Sequence, residues 1–246
     1  MKDDPLRIGI FGAAGKFGRA IAALALADPR FTLAAALAHA ESPHLCSDLG
    51  ALLHQKPLGL PLLPEPSANV DLFIDASLPP GFSSRLDLAL RSECPLVVGT
   101  TGLSGSDWEL LEKSVSRIPI FHSPNFSIGM ALLNKFSAIA ARLFPAAAQI
   151  DLIETHHCQK KDAPSGSALL LAKTVQEAGR GPVSIHSLRS GKIVGEHTLL
   201  FNTAEERLTI AHEAHSRDAF ASGALAAAFF LAAQKPGLYG MEDLLK

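Results

Sequence analysis

Cysteine is scarce. Cys46, Cys94 and Cys158 are the only three in 246 residues, an odd set with no C-x-x-C spacing. This argues against a disulfide framework and a cysteine-built zinc site, and fits a reducing compartment. An excess of one charge is missing too: the formal net charge is −2, without the basic surplus of a nucleic-acid or membrane-surface protein. Long hydrophobic runs are also absent. The longest, GALAAAFFLAA at 223–233, falls short of the ~18 to 20 residues of a membrane span. The opening MKDDPLRIGIFG reaches only a short apolar run before glycine, unlike a signal peptide, so the expected location is cytoplasmic. No repeats or low-complexity linkers occur. The remaining composition, 48% apolar and 19% charged, is that of a globular enzyme rather than a disordered chain. Its length suffices for one large domain or two small ones.

Short β-branched or apolar runs at 7–12, 31–38, 70–77, 95–102 and 118–125 read as strands. Helical patterns lie between several of them: Phe17, Ile21 and Leu24 before the Asp28-Pro29 stop, then 81–92 and 105–116. Strand and helix alternating with short connections imply right-handed crossovers and a parallel, Rossmann-type sheet. The Pro-rich stretch 40–69 gives no clear element. After residue 126 the pattern changes. Residues 127–144 predict an amphipathic helix with Met130, Leu133, Phe136 and Leu143 on its apolar face. AQIDLIETHH is a strand, and a helix follows over 165–178. Three strand-like runs, VSIHSLRS, KIVGEHTLLF and ERLTIAHEA, then come without helices between them. The expected fold is therefore α/β: a Rossmann domain plus a second α+β domain with a mixed or antiparallel sheet. The expected division is 1–126 with 215–246, and 127–214. The small-residue helix after 215 is expected to pack back on the first sheet.

GAAGKFG, Gly12 to Gly18, has glycine at its first, fourth and seventh positions, with Ala14 where the dinucleotide fingerprint carries its middle glycine. A strand precedes it and a helix opens after it, so free N–H groups and the positive helix end face the loop. The same letters also suit a plain strand-to-helix turn. GTTG at 99–102 and SPNF at 123–126 end two further strands on the same expected rim, where open α/β sheets bind ligands. HEAH at 212–215 is one residue short of the zinc motif, and neighbouring His156 and His157 would point to opposite strand faces, so no metal site is expected. In HHCQKKDAPSGSA, 156–168, two histidines precede Lys160 and Lys161, and a turn follows in which Ser165 can cap a helix. Proton carriers, fixed cations and open N–H groups suit an acidic small molecule that needs a proton. A solvated basic loop is the alternative.

At these residues the chain resembles the dihydrodipicolinate reductase family. ETHHCQKKDAPSGSA is similar to that family's E-x-H-H-x-x-K-x-D-A-P-S-G-T-A motif, and GAAGKFG, GTTG, SPNFSIG, KIVGEHT and AHEAHSRDAFASGA match its pattern in order. The resemblance implies reduction of the cyclic product of dihydrodipicolinate synthase to tetrahydrodipicolinate with NADPH or NADH, on the diaminopimelate route to lysine. It further implies a homotetramer assembled through the second domain, and neither nucleic acid nor membrane as partner. Carried over by position, His156 would be the proton donor and Lys160 a second catalytic donor. His157, Ser165, Gly166 and Ser167 would hold the substrate carboxylates. Gly12, Ala13, Ala14, Gly15, Lys16, Phe17, Gly99, Thr100, Thr101, Ser123, Pro124, Asn125 and Phe126 would line the cofactor. Another nicotinamide-dependent dehydrogenase, or a non-catalytic cofactor-binding protein, are the rival readings.

The chain departs from the family pattern at several places. Ser167 stands for threonine, Cys158 and Gln159 replace residues that are often basic, and D-A-S at 75–77 replaces D-F-T. The segment before LRSGKIVGEHT is shorter than usual. At the end of the second strand, Ala38 and His39 occupy the place where an acidic residue would bind the ribose of NADH. No carboxylate is placed there to repel a 2′-phosphate, so NADPH is expected to serve at least as well as NADH.

Overall fold

The computed structural model describes residues 4–246. The chain divides into two units, 1–126 with 220–246, and 127–219. In the first unit, β1 (Leu6–Phe11) leads into α1 (Lys16–Ala27) and β2 (Phe31–Leu37). The stretch that gave no pattern in sequence holds α2 (Leu49–Leu52) and β3 (Leu62–Leu63). Asp48 organises it, its carboxylate accepting N–H groups of Gly50, Leu58 and Leu60 at 2.8 to 3.0 Å. Then come β4 (Leu72–Asp75), α3 (Phe82–Arg91), β5 (Leu96–Val98), α4 (Gly105–Ser114) and β6 (Pro119–His122). The central strands read as unbroken runs because they are buried on both faces: all four residues of β4 and all three of β5 are buried.

The second unit begins with α5 (Ile128–Leu143), β7 (Gln149–His156) and α6 (Gly166–Glu177), followed by β8 (Ser184–Arg189), β9 (Gly195–Asn202) and β10 (Arg207–Ala214). Its sheet runs β10-β9-β7-β8, with β7 parallel to β8 and β9 antiparallel to both β7 and β10. One face packs on α5 and α6 around Ile150, Leu152, Leu171, Leu199 and Phe201. The expected apolar face of α5 needs correction. Met130 and Leu133 are buried, but Phe136 and Leu143 are 49% and 81% exposed, and Ser137, Ala140 and Ala141 take their places inside. Small side chains let α5 lie close to its neighbours. The one hydroxyl among them is satisfied, Ser137 Oγ donating to Leu133 O at 2.6 Å.

The chain ends with α7 (Asp218–Leu231), β11 (Gly237–Tyr239) and α8 (Met241–Leu244). Helix α7 buries Ala221, Ala224, Ala227, Ala228 and Leu231 in the same core as Ile8, Ile10 and Phe121 of the parallel sheet. Strand β11 pairs with β6, which completes an all-parallel order β11-β6-β5-β4-β1-β2-β3. The sequence turns back on itself between β1 and β4. Ligands of open α/β sheets bind outside the carboxyl ends of strands at such a switch point. Among the described residues no helix is long and apolar enough to cross a membrane.

Candidate active site

The loops after β1, β4, β5 and β6 lie side by side at the carboxyl edge of the parallel sheet, because those four strands are neighbours. The first is shaped by two close approaches. Gly12 has φ +72°, and a Cβ on it would lie 2.7 Å from Ala76 O. A Cβ on Gly18 would fall 2.3 Å from Gly12 O, so only glycine lets α1 press against the turn. Helix α1 starts at Gly15 with no side-chain cap and no acidic residue in its first turn, while Lys16 sits there exposed. An uncapped, positively polarised helix end beside a tight glycine turn fits the pyrophosphate of a dinucleotide. Ala14, in the middle position, is half-buried and adds one methyl to that approach.

The other rim loops are braced from within. Asp75, fully buried at the end of β4, receives Arg85 Nε and the Ser77 N–H, each at 3.0 Å. Thr100 Oγ1 donates to Ser77 O at 3.2 Å, and Ser123 Oγ to Asn125 O at 2.6 Å. The rings of Phe17 and Phe126 lie 6.2 Å apart and flank Gly99, with Phe126 itself buried against Phe121. Thus Ala13, Thr100, Ser123 and Phe126 are buried, whereas Gly15, Lys16, Thr101 and Pro124 are exposed. Toward a ligand, this rim offers mainly backbone.

In the second unit a strand's period of two decides what meets what. Positions 150, 152, 154 and 156 of β7 share the face that packs on α5 and α6. The first two are Ile150 and Leu152 in the apolar core, the last two Glu154 and His156. Register then supplies partners from far along the chain. Glu154 pairs across with His197 of β9, and His156 with Arg189 of β8. The Glu154 carboxylate accepts from His156 Nδ1 through Oε2, while Oε1 receives Arg189 Nη2 at 2.9 Å and the Ser165 N–H at 3.3 Å. Burial alone would raise its pKa. The hydrogen bonds from Arg189, Ser187 and His156 outweigh that and bring it down to about 2. His156 is held below the usual histidine value, chiefly by burial and further by Lys160 and Arg189, with Glu154 acting the other way.

His197, also buried, sits edge-on to His156 at 5.2 Å and shares a 3.2 Å hydrogen bond with Ser165 Oγ. Burial, then the neighbouring His156, lowers its pKa to about 4. Ser165 caps α6 as the sequence predicts, accepting the Ala168 N–H at 3.2 Å, so the first turn of α6, Gly166 and Ser167, opens beside this cluster. Just past the strand end are His157, half-buried, and Lys160, whose ammonium meets Asp162 at 2.9 Å. His156, Lys160 and Ser165 are thus brought into one neighbourhood.

Sequence reasoning missed Glu154, Arg189, His197 and Asp162. The i, i+2 spacing of Glu154 and His156 in ETH was the one available sign of a same-face pair. Donor atoms of Glu154, His156 and His197 lie within 4.8 Å of one another, a span a cation could fill. Arg189 already holds the free Glu154 oxygen, however, and Lys160 adds positive charge nearby, so the cluster reads as a hydrogen-bonded one. His212 and His215 part company: His212 Nε2 lies 3.1 Å from Ser127 Oγ, and His215 is exposed beside Glu213.

Comparison with known proteins gives a consistent result. The family model "Dihydrodipicolinate reductase, N-terminus" matches residues 6–126, and its C-terminus counterpart matches 129–245. A 4-hydroxy-tetrahydrodipicolinate reductase of Stenotrophomonas maltophilia is 39% identical, covering all of both chains. That of Methylococcus capsulatus is 37% identical over 98% of each. The solved structure of a dipicolinate-bound dihydrodipicolinate reductase from Paenisporosarcina sp. TG-14 superposes with a TM-score of 0.79 at 24% identity. It covers 97% of this chain and 99% of that one. This last likeness bears on the fold alone.

Proposed function

The chain belongs to the dihydrodipicolinate reductase family, and from that premise we propose how its own residues serve the reaction for which its relatives are named. The reaction is the NAD(P)H-dependent reduction of 4-hydroxy-tetrahydrodipicolinate to tetrahydrodipicolinate with release of its hydroxyl as water, on the diaminopimelate route to lysine. The observation that carries the residue assignment is the buried His156, backed by Glu154 and flanked by Lys160 and the start of α6. A histidine with a carboxylate behind it and cations beside it is equipped to give a proton to an anionic ligand.

Gly12 to Phe17, Gly99 to Thr101 and Ser123 to Phe126 would hold the cofactor, mostly through backbone N–H groups. Bound there, a reduced nicotinamide supplies the hydride. Lys160, His157 and the Ser165–Ser167 turn grip the substrate carboxylates. Each charge-assisted hydrogen bond contributes about 1.5 to 3 kcal/mol, so three or four suffice for micromolar binding of a small dianion. Loss of the 4-hydroxyl as water leaves a conjugated ring to accept the hydride. The same cations stabilise the negative charge that hydride addition leaves on that ring, and His156 delivers the proton that discharges it.

Strand β2 ends at Leu37, and neither Ala38 nor His39 after it is acidic. This supports use of NADPH at least as well as NADH, with kcat/KM within about tenfold or in favour of NADPH. The sheet face of the second unit away from α5 and α6 carries Ile153, Leu188 and Leu200, with Leu188 53% exposed. These aliphatic side chains stand among polar ones such as Asp151, Thr155, His186 and Thr198, a mixed face that could serve the tetramer the resemblance implies. The cytoplasm is the compartment such a biosynthetic enzyme would occupy. The decisive assay follows oxidation of NADPH and of NADH with freshly made dihydrodipicolinate synthase product. Turnover is expected with both. No turnover with either refutes the function, and a hundredfold preference for NADH refutes the reading of the strand end.

A further inference from the structure

We propose that Glu154, held by Arg189, is a positioning residue that fixes the His156 imidazole with its proton on Nδ1 and leaves Nε2 as the atom that exchanges a proton with substrate. The proposal rests on the reading of His156 as proton donor.

Three observations carry it. First, both carboxylate oxygens are committed. Oε2 is bonded to His156 Nδ1, and Oε1 to the Arg189 guanidinium at 2.9 Å and to the Ser165 N–H at 3.3 Å. The carboxylate cannot turn away without breaking two other bonds inside the protein. Second, an ionised carboxylate only accepts. Glu154 is fully buried and is kept ionised by its donors, so the nitrogen facing it must be the one bearing hydrogen. The other nitrogen is then the one that loses and regains a proton. Third, that other nitrogen lies against the one position of β9 that carries no side chain. A Cβ on Gly195, the first residue of β9, would lie 3.1 Å from Nε2. Any side chain at 195 would crowd the exchanging atom, and glycine leaves only backbone beside it.

The groups facing His156 come from every element around it. Glu154 lies on its own strand, Arg189 on β8, His197 on β9, and Lys160 in the loop that follows. Lys160 and Arg189 disfavour the imidazolium, as does burial, and Glu154 is the group that favours it. Its charge therefore sets how far up the pH scale His156 remains an acid. This is the relation of a carboxylate to a histidine in a hydrolytic triad, where the carboxylate orients the ring and stabilises its charged form without itself taking the proton. Here it would serve a reductase.

The test is Glu154→Gln beside His156→Ala, each measured as kcat and KM against pH. The glutamine keeps shape and a hydrogen bond but removes the charge. Glu154→Gln is expected to lower kcat about tenfold or more near neutrality, because a carboxylate that orients a proton-transferring histidine can contribute several orders of magnitude. KM should move less than about threefold. The alkaline fall in kcat should shift by about one pH unit toward acid, because the protonated histidine loses its stabilising partner. In His156→Ala that limb should vanish. A Glu154→Gln enzyme with unchanged kcat and unchanged limb, beside an inactive His156→Ala, would overturn the positioning role and leave His156 as donor. Retained activity in His156→Ala would overturn both. Should Glu154→Gln fail to fold, nitrogen NMR of the unmodified protein carrying ring-labelled histidine decides. Neutral His156 protonated at Nδ1 supports the proposal, and protonation at Nε2 sinks it.

Discussion

At the strand ends of the parallel sheet, polar side chains are turned inward and spent on the loops themselves: Thr100 on Ser77, Ser123 on Asn125, Asp75 on Arg85. At the end of β7, Glu154, His156 and His197 are equally buried but form, with the half-buried Arg189, a group of ionisable residues beside more exposed ones. The first region presents backbone to a ligand and needs exact spacing between helix and turn. The second presents protons and charge, and needs its pKa values set. A cofactor whose chemistry is its own requires only a rigid cradle, whereas proton transfer requires a group tuned by its neighbours. The two regions should therefore fail in different ways when altered.

The sharpest break is steric and concerns the first region. A Cβ on Gly223 of α7 would lie 1.7 Å from the carbonyl oxygen of Phe126, which is backbone and cannot swing aside. Helix propensity alone predicts that Gly223→Ala stabilises by up to about 1 kcal/mol. Overpacking ordinarily costs about 1 to 3 kcal/mol, and this overlap is severe, so a net loss of about 2 kcal/mol or more is expected, with weaker cofactor binding through the displaced 123–126 loop. Gly105→Ala is the control. Nothing lies within 4 Å of a Cβ there, and stability should rise by about 0.4 to 1 kcal/mol. Urea midpoints decide, and a Gly223→Ala as stable as the parent would show that the cradle is not rigid.

How much of this was legible in the sequence follows the same division. Strands β1, β2, β4, β5 and β6 were visible because buried parallel strands are plain apolar runs. β3 and β11 were not: each is two or three residues set among prolines and glycines without a flanking apolar run, and neighbours' hydrogen bonds define them. The apolar face of α5 departs from its pattern of large residues because the second half of the packed face is made of small ones, Ser137, Ala140 and Ala141. In the candidate site, the residues close together in the motif could be named. Arg189 and His197 stand 33 and 41 positions beyond His156, and only the β7–β8 and β7–β9 registers bring them to it. No local pattern reports such a meeting.

The second region should break with pH. His197 has its folded pKa lowered to about 4 from 6.5, first by burial and then by His156. Between those values the unfolded chain binds a proton that the folded chain refuses. Stability therefore rises with pH across this window and is lost as pH falls from 6.5 toward 4, by at most about 3 kcal/mol from this group. His122, His156 and His212 are lowered in the same direction and add to the slope. His197→Gln should flatten the dependence without abolishing it. Chemical unfolding at several pH values measures this, and an unchanged slope in the variant would mean that His197 is protonated or solvated in the folded state.

The smallest expected effect tests the boundary of the second region, where Lys160 is already paired. Its ammonium lies 2.9 Å from an Asp162 oxygen, and the Asp162 side chain is 59% exposed. The bond from Lys160 holds the Asp162 carboxyl below its ordinary pKa, so it is anionic at neutral pH and competes with any incoming carboxylate for the same cation. An exposed ion pair is worth about 0.2 to 1 kcal/mol. Asp162→Asn should accordingly tighten binding of pyridine-2,6-dicarboxylate, a flat dianion like the substrate, by up to about fivefold. The gain should shrink with added salt as the surface charges are screened. Lys160→Met should weaken binding by about 1.5 to 3 kcal/mol, and in that background Asp162→Asn should have little left to release. Calorimetry on the two single variants and the double variant separates the outcomes. If Asp162→Asn weakens binding, the carboxylate shapes the loop rather than competing with the ligand. If Lys160→Met leaves affinity unchanged, the anion is held by the start of α6 alone.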